Sequence, residues 1–243
     1  MMAQKIDRHH FNTIYSTNTW ALQNAATFDR EAITIVTTDG QSAGRGRLNR
    51  VWESPTGVNL YMTFGIFVEE GEIYISNIPQ ILALAAADLI HELGVEAQLK
   101  WPNDIVIRGK KVGGILCETK PIEDHRFVAV GIGLNINMSD ETIREIVPNA
   151  TSLLIETGQK QHCDSIKILL EEHFIESLAI FMEEGFDKFF EAFQAKIYKP
   201  KTFHFHHQDQ ITKGQFESLN PDGSLTLLLN NGEKKTYHYG EIV

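Results

Sequence analysis

The hydrophobic period of this 243-residue chain changes once, close to Pro200, and that change limits the architectures open to it. Before it, Asp164 is expected to cap a helical stretch running to about Tyr198 and interrupted near Gly185. Its stripe of Phe174, Phe181, Phe189, Phe190 and Phe193 reads as core rather than as a cofactor-binding face. After it come short alternating runs punctuated by Asn220-Pro221-Asp222-Gly223 and by Asn231-Gly232, a strong two-residue hairpin signal. A tail of this kind predicts a small β-barrel, so the expected division is 1–198 and 199–243.

Upstream, 17–28 reads as an amphipathic helix and the β-branched run 32–37 as a buried strand. Residues 40–55 then form a long loop, and a long irregular loop inside a compact domain is usually functional. A strand is expected over 59–68. Asn77 should cap a helix that carries Pro79 in its first turn and Gly94 just past its end. Further strands are expected over 97–100, 105–108, 111–118 and 127–137. Mixed strands and helices predict an α/β (α+β) sheet with helices on one face.

The chain is acidic, with 22 Lys and Arg against 32 Asp and Glu, which argues against binding nucleic acid through bulk charge. Its positive charge is local. Residues 44–50 hold three arginines and no acid, and 99–113 hold four cations against Asp104 alone. Cys117 and Cys163 are too few and too far apart for a disulfide framework or a CxxC site, which fits a reducing cytoplasm. Residues 1–12 lack an apolar targeting core, and the longest apolar stretch, 81–90, carries Asp88. Neither export nor a membrane span is expected.

Three segments share one chemistry: Gly44-Arg45-Gly46-Arg47, Lys100-Trp101-Pro102-Asn103-Asp104 and Lys111-Val112-Gly113-Gly114. Each joins cations to backbone kept bare or rigid by Gly or Pro, which lets a chain approach a polyanion closely. The Rossmann and P-loop glycine patterns are absent, so a nucleotide site here is of another design. Each segment alone also suits a bland role: a solvated basic turn, a structural corner or a surface lysine. Asp104 suits either a metal-bound triphosphate or the orientation of an amine nucleophile. His204, His206 and His207 read as a solvated strand face, and Cys117 as a core thiol. Glu118, Glu123 and Asp124 form no paired-carboxylate pattern.

Taken in order, these segments resemble the biotin protein ligases. The family pattern appears as Ser16-Thr17-Asn18, Gln41 before Gly44-Arg45-Gly46-Arg47, Trp52 after it, Lys100 to Asp104, Lys111 to Gly114, and Gly131-Ile132-Gly133-Leu134-Asn135. The resemblance implies a class II aminoacyl-tRNA-synthetase-like catalytic domain with a C-terminal SH3-like β-barrel. It implies activation of biotin by ATP and Mg²⁺ as biotinyl-5'-AMP, then transfer to a lysine of a biotin carboxyl carrier protein. Because Ser16 opens the pattern so early, an N-terminal DNA-binding domain is not expected.

The resemblance also implies residue roles. Biotin would be held by Ser16, Thr17, Asn18, Gln41, Gly44, Arg45, Gly46, Arg47, Lys111, Gly114 and Gly131. Arg45, Arg47, Trp52, Lys100, Asn103, Lys111 and Asn135 would hold ATP and the adenylate. Lys111, Arg47 and Asp104 are the catalytic candidates, with Asp104 either orienting the acceptor lysine or holding Mg²⁺. The alternative is a lipoate or octanoate ligase or transferase, against which the Ser-Thr-Asn and Gln41 set argues. Monomer and homodimer both remain open, as do nucleotide closure and carrier docking for the barrel.

Overall fold

The computed structural model describes residues 5–69, 75–147, 149–200, 203–207 and 210–242. In chain order it contains β1 (Lys5–Ile14), α1 (Thr17–Asn24), β2 (Ala32–Gln41), β3 (Leu60–Glu69), α2 (Ile78–Glu92), β4 (Gln98–Lys100), β5 (Asp104–Ile107), β6 (Lys110–Ile122) and β7 (His125–Leu134). There follow α3 (Asp140–Ile146), α4 (Leu153–Thr157), α5 (Cys163–Glu184) and α6 (Asp187–Lys196). The chain closes with β8 (Phe203–His207), β9 (Gln210–Leu219), β10 (Leu225–Leu229), β11 (Lys234–Tyr237) and β12 (Glu241–Ile242).

Seven strands form one sheet in the order β1-β2-β3-β7-β6-β5-β4, with β1 parallel to β2 and the other neighbours antiparallel. Period-two alternation divides the strands between two buried faces. Ile35, Met62, Phe64, Val130 and Ile132 pack with α2 and α5, where Phe174 meets Phe64 at a ring separation of 4.4 Å. Burying a side chain such as Phe174 contributes about 2 kcal/mol by area. Val36, Phe127 and Ala129 face the other way, against Ala21 and Ala25 at the α1 end of the fold.

The expectation of helices on one face is thus corrected. The two long helices do share a face, but α1 covers part of the opposite one, because β2, β3 and β7 carry small or apolar residues at both parities. Two local expectations also change. The cap position of α5 is His162, while Asp164 lies in the first turn and pairs with Lys167 at 2.6 Å. Asn77 occupies the cap of α2 but gives no side-chain cap bond, since its Nδ2 donates to Gln80 Oε1 at 2.7 Å. No helix among the described residues is long and apolar enough to cross a membrane.

Strands β8 to β12 form a separate antiparallel sheet, ordered β11-β10-β9-β8-β12. Alternation along β8 buries Phe203 and Phe205 and turns His204 and His206 outward; the His207 side chain lies outside the described residues. This sheet is not a loose appendage. Phe203, Phe205, Leu225 and Tyr237 belong to the same apolar cluster as α2, α5 and the large sheet. Trp101 is the joint: its ring lies 5.7 Å from that of Phe205, and its indole donates to Gly223 O at 3.0 Å.

Candidate active site

On the α1 side of the large sheet the floor is stripped of side chains. Gly131 and Gly133 alternate on β7, and Gly114 pairs with Gly133 from β6. A methyl group at Gly131 would stand 2.2 Å from Asn18 Oδ1, and one at Gly133 would stand 2.4 Å from the Trp52 indole. Both are sterically impossible without displacing those side chains, so glycine is what brings them down onto the backbone. The result is an open cleft enclosing about 1140 Å³, counting its mouth.

One end of the cleft is lined by amides and hydroxyls. Ser16 caps α1, its Oγ accepting from Thr19 N at 3.4 Å, and so sets the direction of Thr17 and Asn18. Gln41, the last residue of β2, takes Thr17 N–H on its Oε1 at 2.9 Å and donates from Nε2 to Ser54 Oγ at 3.0 Å. Asn18 Nδ2 donates to Leu116 O and to Glu118 Oε2, each at 3.1 Å. The Thr63 hydroxyl, from β3, lies 2.8 Å from both Thr17 Oγ1 and Asn18 Oδ1. A urea-like ligand needs such a mixed set of donors and acceptors.

Two residues along β7, about 7 Å at the strand rise, Trp52 covers Gly133 and its buried Nε1–H has no partner among the described residues. Lys111 Nζ lies 5.3 Å from the Trp52 ring and 2.6 Å from Asp104 Oδ1. Beyond them Asn135 is held by its Nδ2–H to Thr151 O at 3.1 Å, beside apolar Met138 and Ala150 in the same cleft.

The loop between β2 and β3 forms the roof. It folds back on itself through Gly46 N to Arg50 O at 2.7 Å and Trp52 N to Gly44 O at 2.9 Å. Leu48 and Asn49 take left-handed conformations at its tip, with φ of 54° and 57°. Each arginine has different company. Arg45 pairs with Glu118 at 3.0 Å and also donates to Thr19 Oγ1, and Arg50 binds both oxygens of Glu241 at 2.6 Å. Arg47 donates to two neutral acceptors, Asn103 Oδ1 at 3.3 Å and Gly240 O at 3.2 Å. Burial lowers the Arg47 guanidinium pKa from its ordinary value, with nearby Glu241 and Asp104 opposing the shift. A half-desolvated cation without a paired carboxylate is a site for a ligand anion.

The structure therefore brings Thr17, Asn18, Gln41, Arg45, Gly46, Arg47, Trp52, Asn103, Asp104, Lys111, Gly114, Gly131 and Asn135 to one cleft. Three expected residues stand outside its lining. Ser16 works as a cap, Gly44 packs under Trp52 O, and Lys100 pairs across the β4–β5 hairpin with Asp104. Trp101 is also turned away, into the joint with the C-terminal sheet. Sequence reasoning missed Thr63, hidden inside an apolar strand, and Glu118, whose only signal was its parity on β6. No group of three His, Cys, Asp or Glu suited to a metal occurs among the described residues, and the Asp104 carboxylate already faces Lys111.

Comparisons with known proteins agree with this geometry. The model of the biotin/lipoate A/B protein ligase family matches residues 11–135, the stretch that contains the floor and the roof of the cleft. The bifunctional ligase/repressor BirA of Bacillus spizizenii is 41% identical over 133 residues, 52% of this chain and 40% of that protein. The biotin–[acetyl-CoA-carboxylase] ligase of Mycobacterium tuberculosis is 34% identical over 145 residues, 57% of this chain and 52% of that protein. The chain thus matches about half the length, or less, of these curated relatives. A solved biotin protein ligase from Aquifex aeolicus, in complex with biotin and ATP, superposes with a TM-score of 0.79 at 25% identity, covering 98% of this chain and 97% of that one. The fold is that of the biotin protein ligases, a mixed α/β unit followed by a small antiparallel β unit. With the motif-bearing half of the sequence matched and the whole fold superposed, the chain belongs to the biotin/lipoate A/B protein ligase family.

Proposed function

We propose that this chain activates biotin with ATP as biotinyl-5'-AMP and transfers the biotinyl group to a lysine of a biotin carboxyl carrier protein or domain, with 1–198 as the catalytic unit and 199–243 as the C-terminal β unit. The observation that carries this reading is the polarity of a single cleft. The Asn18 amide and Thr63 hydroxyl crowd Gly131, backed by the Glu118–Arg45 pair, while Trp52 covers Gly133 and the Lys111 ammonium stands over neighbouring Gly114. That gradient matches a molecule with a urea at one end and an activated carboxylate at the other. A lipoyl or octanoyl chain has no N–H or carbonyl to offer this polar end, so it would bury polar groups there without gaining the hydrogen bonds a urea can make.

In the first step a carboxylate oxygen of biotin attacks the α-phosphorus of ATP and pyrophosphate leaves. Two anions must meet, so cations fixed beforehand lower the barrier. Arg47 and Lys111 supply them. Mg²⁺ would enter with ATP as part of the substrate, as suits an ion that keeps several waters and is held largely by phosphate oxygens. The adenine side is assigned to Trp52 and Asn135. The Trp52 stack on Gly133 and the apolar wall near Met138 and Ala150 support that assignment.

In the second step the acceptor amine attacks the acyl carbon and AMP leaves. A free lysine, with a pKa of about 10.4, must first lose a proton. We assign the orientation of that amine, and the receipt of its proton, to Asp104, the carboxylate that lies beside Lys111 in the cleft. The roof loop shields the adenylate from water meanwhile. Pyrophosphate exchange into MgATP tests the reading, run with biotin, lipoate, octanoate and no acid. Exchange with biotin alone is expected, and exchange with lipoate or octanoate instead would move the chain to the other branch of its family.

A further inference from the structure

The carboxylate of Glu118 ties together two parts of the cleft that are far apart in sequence. It projects from β6 on the cleft side of the sheet, at the position paired with Ala129, and is partly buried. Oε2 accepts from Asn18 Nδ2 at 3.1 Å, and Arg45 Nη2 lies 3.0 Å from Oε2 and 3.1 Å from Oε1. One side chain therefore anchors the start of α1 and the roof loop at once. Its proximity to those groups is not explained by packing alone, because a neutral apolar residue at this position would leave both donors without it.

The partners also decide which way the Asn18 amide points. Leu116 O and the Glu118 carboxylate are acceptors only, so the amide nitrogen must face them. Asn18 Oδ1 then faces Thr63 and the bare backbone at Gly131, where one lone pair remains for a ligand N–H. With both of its hydrogens committed, Asn18 enters the cleft as an acceptor and not as a donor.

We infer that Glu118 is a positioning residue that locks Asn18 as a hydrogen-bond acceptor for a ring N–H of the ligand and holds Arg45 over the cleft. The ligand's identity rests on the biotin reading above; the lock itself does not. Glutamine at 118 preserves size and one oxygen that can still accept from Asn18, but it removes the charge and turns an N–H donor toward Arg45 in place of the second oxygen, so the Arg45 contact is the one it breaks; alanine removes both. Losing a hydrogen bond to a charged group is worth roughly a tenfold change in an equilibrium.

The test has two arms on the full chain, comparing wild type with Glu118→Gln and, as a second variant, Glu118→Ala. The ligand-free arm follows the side-chain amide protons of Asn18 by NMR, with a thermal melt to show that each variant is folded. Slowed exchange of those protons in wild type, and exchange faster by roughly tenfold in Glu118→Ala with a smaller change in Glu118→Gln, is expected. The second arm measures binding of biotin, and of an analogue with one ring N–H replaced by oxygen, by calorimetry without ATP. Wild type should prefer biotin, and that preference should shrink roughly tenfold in folded Glu118→Ala and less in Glu118→Gln. A purely structural residue would weaken both ligands alike. Unchanged amide exchange in both variants, or an unchanged preference, overturns the inference. If wild type binds no biotin, the substrate reading fails while the NMR arm still decides the lock.

Discussion

The floor and the roof of the cleft bound the same space, but different forces hold them. The floor is the middle of a seven-stranded sheet, where β7 pairs along its whole length with β3 on one side and β6 on the other. The roof is a loop whose tip residue Leu48 is 73% exposed, so packing does not account for its shape. Side-chain bonds from Arg47 and Arg50 to Gly240 and Glu241 tether it to the C-terminal strand β12. Left-handed backbone at Leu48 opposes that shape by about 1 kcal/mol. A buried sheet gives fixed placement of atoms, whereas a tethered loop gives a surface that can part from its ligand. A two-step reaction with a labile intermediate needs both.

The sharpest way to break this contrast is to damage the floor. Gly133→Ala drives a methyl group into the Trp52 indole, and pyrophosphate exchange should fall by about 100-fold or more, while a thermal melt shows the sheet intact. Lys111→Ala removes a cation from the reacting end and should lower exchange by roughly 10²-fold to 10³-fold, with a smaller loss of biotin binding by calorimetry. The roof should respond differently. Arg47→Ala should leave biotin binding near wild type but release biotinyl adenylate roughly tenfold faster, measured by trapping the released intermediate; equal release rates would remove the loop from the retention step.

Smaller effects sharpen the comparison. Glu241→Gln weakens a tether whose arginine is 61% exposed, so adenylate release should rise only a few-fold and most visibly at low ionic strength. Cys117 lies on β6 behind the floor, and burial pushes its thiol up to about 12. At pH 8 it should resist iodoacetamide in the folded chain and react once the chain is unfolded. Because Cys117 is only partly buried, rapid modification of the native protein, read by mass spectrometry, would mean that reagent reaches the thiol from the face away from the cleft and that its raised pKa does not protect it.

The sequence was most legible where local chemistry decides the outcome. The Pro79 and Gly94 boundaries of α2 stand as read, because a proline and a left-handed glycine act through their own backbone. The hairpin between β10 and β11 forms where expected but not as a two-residue turn: residues 230–232 link the strands, with Gly232 N bonded to Leu229 O and only Gly232 left-handed, at φ 84°. Strand β1 was not legible: Lys5–Ile14 mixes charged and apolar residues at an edge, and nothing local distinguishes such a strand from a solvated tail. The candidate site was legible through its motifs, yet Glu118 and Thr63 were not, since their value lies in partners about 100 and 45 residues away. The seeming loop corner at Trp101 carried the opposite error. Its indole serves the joint between sheets rather than the cleft, a choice made by residues at 205 and 223.

That joint has a consequence for how the molecule comes apart. Because the apolar cluster runs without interruption from Phe174 through Trp101 to Phe205 and Leu225, the two sheets should melt as one cooperative unit and give a single calorimetric endotherm. Cutting the chain after Tyr198 would not release a working half. It would expose Trp101 and its neighbours to water as a sticky surface, and the truncated product would be expected in inclusion bodies rather than in solution.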